Sequence, residues 1–190
     1  MQLRILSCGI FRPELDIIIA DVKRALKDCD IVITYLSPGL HNDCNRMEKE
    51  LIENLDKTSS VKTVVLYGSG CHPKMPAILK NYGTVIPQEK NCIEMLLTPE
   101  IKAEMDKTGN VIYLTTGWLK AWKEIFSQDM GMGPMAADKI IYLDCGTNLV
   151  SDEDIIEFFD FANLPIEIEA ITLDNFKNKL MVLCKTLIAE

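Results

Sequence analysis

Short apolar runs alternate with amphipathic stretches along the whole chain. Runs rich in Val, Ile and Leu predict seven strands, at residues 3–7, 31–36, 61–67, 84–86, 111–115, 140–143 and 165–171. Apolar positions three and four residues apart predict helices at 13–27, 43–55, 75–81, 92–97, 99–107, 118–126, 152–161 and 174–187. This alternation predicts an α/β fold, a Rossmann-like open and mostly parallel sheet of about six or seven strands with helices on both faces.

Length and charge narrow the class of protein. The 190 residues fit a single α/β domain, 1–190, without an evident linker, repeat or low-complexity tract. The 28 acidic residues against 20 basic ones give a net charge of -8, which repels phosphate backbones, so we expect no nucleic-acid partner. The chain starts without the pattern of a signal peptide, and no apolar run approaches the roughly 20 residues of a membrane span. We therefore expect a cytoplasmic protein that does not enter the membrane.

The cysteines are unevenly placed along this pattern. An intracellular protein keeps its thiols reduced, so the seven cysteines are expected to be unpaired. Ligands of parallel sheets bind beyond the carboxyl ends of the strands. Four cysteines lie just past predicted strand ends, namely Cys8, Cys71, Cys92 and Cys145. A reduced cysteine is ordinarily a small core residue, and that interpretation suits Cys29, Cys44, Cys145 and Cys184.

Four segments resemble a known family. They read "ILSCGIFRPEL", "LYGSGCHPKM", "VIPQEKNCIEMLL" and "YLTTGW", in this order. Together they resemble domain-of-unknown-function family 1638 over roughly residues 3–126. That family consists of uncharacterised proteins of methanogenic archaea and other anaerobes, often encoded near corrinoid-dependent methyl-transfer systems. The family pattern corresponds to Cys8, Glu14, Gly68, Gly70, Cys71, Cys92, Gly117 and Trp118.

The chain departs from the family pattern at two places. The family usually has Cys-Gly where this chain has Cys71-His72, and His-Asp where it has Lys90-Asn91 before Cys92. If the family histidine binds a metal, this protein lacks it there. His72 is then the candidate to replace it.

Three cysteines at one sheet edge suggest a metal centre. Three thiolates with one nitrogen or oxygen ligand form a tetrahedral zinc site, and an open fourth position makes such a site catalytic. Cys8, Cys71 and Cys92 with His72 or Glu14 supply this set, and zinc would keep a bound thiol deprotonated and nucleophilic. With the family context, this predicts a zinc-thiolate enzyme or accessory protein of corrinoid-dependent one-carbon metabolism. A corrinoid protein or a methyltransferase is the partner that the resemblance implies.

Other interpretations of the cysteines stay open. Three cysteines also hold a four-iron cluster with one open iron, which makes an iron–sulfur protein an alternative. Without a metal, Cys92 at a helix N-terminus beside Lys90 would have a lowered pKa and act as a reactive thiol. The third alternative is a non-catalytic binding or interaction protein whose cysteines are structural. Whether the chain is an enzyme is left undecided by these patterns.

Glycines and a tryptophan surround the same predicted edge. Gly68 and Gly70 follow the third strand, but the third glycine and the later acidic residue of a dinucleotide fingerprint are missing. We expect this turn to direct the backbone toward Cys71 and to give a substrate access. Gly117 and Trp118 follow the fifth strand and are expected to line the same crevice.

Overall fold

The computed structural model describes residues 1–57, 60–126 and 137–189. Its strands are β1 (Gln2–Cys8), β2 (Asp30–Leu36), β3 (Lys62–Leu66), β4 (Thr84–Val85), β5 (Val111–Thr115), β6 (Lys139–Asp144) and β7 (Ile166–Ala170). Its α-helices are α1 (Arg12–Ala25), α2 (Cys44–Asp56), α3 (Met75–Leu79), α4 (Cys92–Leu96), α5 (Pro99–Asp106), α6 (Thr116–Phe126), α7 (Asp152–Ala162) and α8 (Asp174–Ala189). Two 3₁₀ turns, Gly9–Phe11 and Leu40–Asn42, follow β1 and β2.

The strands form two parallel sheets. One has the order β2-β1-β3-β4 and the other β5-β6-β7, with parallel pairing throughout. The predicted α/β class is confirmed, whereas the prediction of one sheet of six or seven strands is wrong. β4 contributes only Thr84 and Val85 to pairing, which offers too short an edge for the sheet to continue. β5 pairs instead with β6 in a separate sheet.

The interior consists of two clusters that meet at β6. Successive side chains of a strand point to opposite faces. Ile141 and Leu143 accordingly belong to the large core around the first sheet, while Ile140 and Tyr142 belong to a smaller cluster with Phe158. The alternation along one strand thus joins the two packed layers.

The last helix returns to the first sheet. It buries Phe176, Leu180, Cys184 and Leu187, a helical spacing, and packs on β3 and β4. Phe176 stacks on Phe11, which follows β1, with ring centroids 5.0 Å apart. This packing covers the turn that follows Cys8. Within the described ranges, no helix combines the length and apolar character needed to cross a membrane.

Candidate functional site

Three cysteines from distant parts of the chain face one cavity. Cys8 ends β1, Cys71 lies in the loop after β3, and Cys92 opens α4. All three line a cavity of about 190 Å³, together with Ile10, Phe11, His41, Tyr67, Gly68, Gly70, Lys90, Asn91 and Trp118. The carboxyl ends of β1, β2 and β3 lie side by side, which is why segments far apart in sequence meet here.

Backbone contacts hold the Cys71 and Cys92 segments together. The amides of Ser69 and Gly70 donate hydrogen bonds to the carbonyl oxygens of Glu89, at 2.8 Å, and Lys90, at 3.0 Å. Gly68 packs so closely on Lys90 that a β carbon there would overlap with its carbonyl group. A residue with a side chain at position 68 would push the two loops apart. Gly68 therefore positions the two cysteines, in addition to lining the cavity.

The start of α4 is defined by a reciprocal cap. The Asn91 side chain accepts a hydrogen bond from the Glu94 amide at 3.0 Å, and the Glu94 carboxylate accepts one from the Lys90 amide at 2.8 Å. These bonds satisfy amides that a helix start would otherwise leave without acceptors. Cys92 consequently occupies the first helical position, at the cavity wall.

The second sheet contributes one wall. Gly117 lies against Ile10, so the start of α6 packs directly on the turn after β1, and Gly117 itself is outside the cavity lining. Trp118 then reaches the cavity and contacts His41 edge-on, with ring centroids 5.3 Å apart. Burial lowers the pKa of His41, so its imidazole is neutral at pH 7. Trp118 and His41 together form an aromatic side of the cavity.

The cavity thiols are protonated at neutral pH. Burial, with a smaller contribution from the neighbouring thiols, raises the pKa of Cys8 to about 11 and that of Cys92 to about 12. Burial also raises the pKa of Cys71. The interpretation of Cys92 as a metal-free reactive thiol with a lowered pKa is therefore wrong. The start of a five-residue helix would lower the pKa of Cys92. The removal of water around the thiol raises that pKa by more.

Glu14 is buried behind the cavity. Its carboxyl is 1% exposed, and within the described part of the chain neither carboxylate oxygen has a hydrogen-bond partner of ordinary geometry. Burial raises the pKa of Glu14 to about 7, although the nearby backbone of Gly117 and Thr116 opposes the rise. A first-turn acid placed only to complement a helix dipole would remain exposed. Glu14 is instead directed into the interior.

His72 lies away from the cavity. Its Nε2 donates to the carbonyl oxygen of Cys44 at 3.1 Å, and its Nδ1 accepts from the Lys74 amide at 3.0 Å. With both ring nitrogens engaged, His72 connects the loop after β3 to the start of α2. The prediction that His72 completes a ligand set is not supported, because the neighbouring backbone already uses both of its nitrogens.

Sequence reasoning overlooked Tyr67. Its ring is 1% exposed and lines the cavity, and within the described residues its hydroxyl makes no hydrogen bond of ordinary geometry, although it interacts with the Cys8 thiol. It lies close enough to Cys8 and Cys71 that their negative charges would raise its pKa further, after burial. A tyrosine that ends a buried strand is indistinguishable in sequence from a core residue. A buried hydroxyl without a partner is a candidate donor to a bound ligand.

The three thiols are suitable ligands for a soft metal ion, but their spacing is not suitable. Three thiols are the ligands that zinc and iron–sulfur clusters prefer. As the side chains stand in residues 1–57, 60–126 and 137–189, however, no group of three or more His, Cys, Asp or Glu could hold a metal ion. The three sulfurs share a cavity without forming a ready ligand cage.

Fold and site define a parallel α/β protein with a thiol-lined cavity at the carboxyl edge of its first sheet. A family model described as "Protein of unknown function (DUF1638)" matches residues 35–180, and the chain belongs to this family. The match extends further toward the C-terminus than the resemblance over 3–126 predicted, and it begins after Cys8 and Glu14.

Comparison with individual proteins adds little. Curated proteins give no match. Among solved structures, the chain is similar to the transcription regulator CcpA of Lactococcus lactis, at 12% identity and a TM-score of 0.46, over 100% of this chain and 92% of that one. A likeness at this level carries no argument about function.

Proposed function

We propose that this protein is a metal-thiolate protein in which Cys8, Cys71 and Cys92 bind a zinc ion. The observation that carries the proposal is that three sulfurs from three separate segments line one small cavity. Cysteines that served only as core residues would have no reason to converge on one open space. Zinc binding would require the sulfurs to draw closer together than they stand.

The charge state of the cavity supports a cation as its partner. The three thiols are neutral when buried alone, because ionising any of them would place an uncompensated charge away from water. A divalent cation offsets that cost and deprotonates coordinated thiols. When bound, zinc would supply a nucleophilic thiolate at neutral pH. His72 is engaged elsewhere, so Glu14 or an external molecule is left as the fourth ligand.

The family resemblance supports a reaction class. We propose on that basis an enzyme or accessory protein of corrinoid-dependent one-carbon metabolism, with a corrinoid protein or methyltransferase as partner. A thiolate activated by zinc is the chemistry that methyl transfer needs. Co-purification of a corrinoid protein with the tagged wild-type chain, and its loss with Cys71→Ser, is the result expected of such a partnership.

Metal analysis of anaerobically purified protein tests the proposal. We expect about one zinc per chain, lost in Cys71→Ser. Cys44→Ser is the matched control, because Cys44 is exposed at the start of α2 and outside the cavity lining. If the protein instead contains iron and sulfide and absorbs visible light, the site holds an iron–sulfur cluster rather than zinc. Wild-type protein without any metal would contradict both.

A second candidate is a metal-free binding protein. It is favoured by the apolar walls that Ile10, Phe11 and Trp118 give the cavity, and by the missing ligand cage among the described residues. The volume of the cavity, about 190 Å³, slightly exceeds the roughly 150 Å³ of an engineered cavity that binds benzene. If the protein is a metal-free binding protein, toluene should raise the melting temperature of the metal-free wild type. Ile10→Phe, which fills the cavity, should abolish this increase in melting temperature.

A further inference from the structure

The last strand of the second sheet has a free edge. β7 pairs with β6 on one side, and within the described residues no strand pairs with it on the other. Four of its five residues, 167–170, are exposed, and the apolar side chain of Ile168 is 56% exposed. An open edge strand presents backbone donors and acceptors to which another extended chain can bind.

Alternate residues of β7 form that edge. Hydrogen bonds of 2.8 Å join Pro165 to Ile140 and Ile171 to Asp144, at the two ends of the pairing with β6. The odd-numbered residues between these ends share the orientation toward β6, because the backbone groups of a strand alternate in direction. The amides and carbonyls that point away from the sheet therefore belong to Ile166, Ile168 and Ala170.

A groove adjoins the C-terminal end of this edge. Its volume is about 540 Å³, and its lining includes Glu169 and Ala170 of β7 and the apolar side chains of Leu97, Ile101 and Met105. Within the described residues, Glu169 makes no hydrogen bond or ion pair. An apolar wall beside a free carboxylate suits a long side chain with an aliphatic stem and a positive end, as in lysine or arginine.

The sequence around this edge is acidic. Residues 140–176 contain nine Asp or Glu residues and no Lys or Arg, so this stretch accounts for the excess of acidic residues in the whole chain. Antiparallel pairing of two copies of β7 along the full strand would place Glu167 opposite Glu169, and like charges directly opposite are destabilising. The charge of the edge thus disfavours a second copy and favours a basic strand.

We propose that β7 binds an extended segment of a partner protein in which lysine or arginine alternates with apolar residues. The segment adds as a further strand to the second sheet. Its basic side chains lie on the face of Glu167 and Glu169, and its apolar side chains lie beside Ile168 on the other face. The inference goes beyond the proposed function, because β7 is outside the cavity lining and no metal is required.

Titration with a short fluorescent peptide of alternating lysine and valine tests the proposal. We expect saturable binding to the wild type, followed by anisotropy, and binding weaker by about fivefold or more in Glu169→Lys. Ile168→Pro removes an outward amide without removing a bond to β6, and we expect it to weaken binding by about tenfold. Ile168→Ala keeps that amide and should bind within about threefold of the wild type.

Backbone pairing must be distinguished from simple charge attraction. The same peptide N-methylated at every residue keeps its charges but lacks amide donors, and should bind about tenfold more weakly or worse. The unmodified peptide should slow hydrogen exchange at the amides of Ile168 and Ala170, observed by NMR. The amides of Glu167 and Glu169 face β6, so their exchange should change little.

Several results would overturn the proposal. These are equal binding of the N-methylated peptide, full affinity in folded Ile168→Pro, and unchanged exchange at Ile168. Self-association of the wild type that protects the Ile168 and Ala170 amides without peptide would assign the edge to a second copy, which also overturns it. Zinc content in Glu169→Lys should equal that of the wild type, so this proposal and the metal site can fail separately.

Discussion

Gly117 packs on Ile10 so tightly that a β carbon at position 117 would overlap with the Ile10 carbonyl oxygen. This single backbone contact joins the turn after β1, which follows Cys8, to the start of α6, which carries Trp118. The cavity therefore has walls from both sheets. Its shape depends on a position where any side chain is excluded.

Gly117→Ala should destabilise the protein even though alanine favours helices. The added methyl group meets backbone, which yields less readily than a flexible side chain, so we expect a loss of about 2 kcal/mol or more in the free energy of unfolding. Denaturant unfolding followed by circular dichroism measures this. Gly83→Ala is the control, because a β carbon there meets nothing within 4 Å. Equal effects of the two substitutions would contradict the contact.

Glu14→Gln should stabilise the protein in a pH-dependent way. Because the folded pKa of about 7 exceeds the ordinary 4.5, the folded state binds the proton more tightly than the unfolded state. The wild type therefore loses stability as pH rises from 4.5 to about 7, and the full penalty is present above that range. We expect Glu14→Gln to exceed the wild type by about 3 kcal/mol at pH 8 and to match it near pH 4.5.

Urea unfolding at both pH values checks this difference. The control is Glu169→Gln, whose carboxyl is exposed on β7, and which should change stability little and equally at both values. A gain at pH 8 that persisted undiminished in acid would mean that packing, rather than charge, explains the effect.

The thiols should differ sharply in reactivity when no metal is bound. Cys92, with a pKa of about 12, holds a thiolate in only about one molecule in 10⁵ at pH 7. Cys44 is exposed, so we expect a disulfide reagent to modify it first, and the buried Cys8 and Cys184, together with Cys92, last. Timed labelling with mass spectrometry gives the order. Rapid labelling of Cys92 would restore its interpretation as a metal-free reactive thiol.

His72→Ala should affect folding rather than metal content. The substitution leaves the Lys74 amide and the Cys44 carbonyl without their partner, and we expect a loss of about 1–3 kcal/mol. Zinc content per folded chain should equal that of the wild type. His41→Ala, at the cavity, is the comparison for a histidine whose loss alters the site itself. Loss of zinc from folded His72→Ala would make His72 a ligand after all.

Tyr67→Phe should separate stability from ligand binding. The Tyr67 hydroxyl is buried without a hydrogen bond of ordinary geometry in the described residues, so its removal should leave the metal-free protein equally stable or up to about 1 kcal/mol more stable. If the hydroxyl donates to a bound thiolate or ligand, the same variant should bind zinc more weakly. Competition with a chromophoric chelator measures that affinity. A variant that lost stability and kept full affinity would show the hydroxyl to be structural.

Much of the local structure was predictable from the sequence. The apolar spacing located the seven strands and eight α-helices of the described residues, and α7 starts with a cap in which Ser151 and Asp154 bond reciprocally. The placement of Cys8, Cys71 and Cys92 after strands also follows from the pattern, because parallel strands share one carboxyl edge. The division into two sheets was not predictable, because strand pairing is a contact between residues far apart in the chain, although the predicted strand at 84–86 is short.

What the sequence by itself determined is the order of the elements and the approximate extent of each, because propensity, capping and hydrophobic spacing act over a few neighbouring residues. Only the tertiary structure decided what those residues do. In the folded protein His72 hydrogen-bonds to the backbone at the start of α2, Tyr67 lines the cavity, and Glu14 is buried. Burial and charge depend on contacts between residues far apart in the chain, such as Gly117 with Ile10, and no local pattern records them.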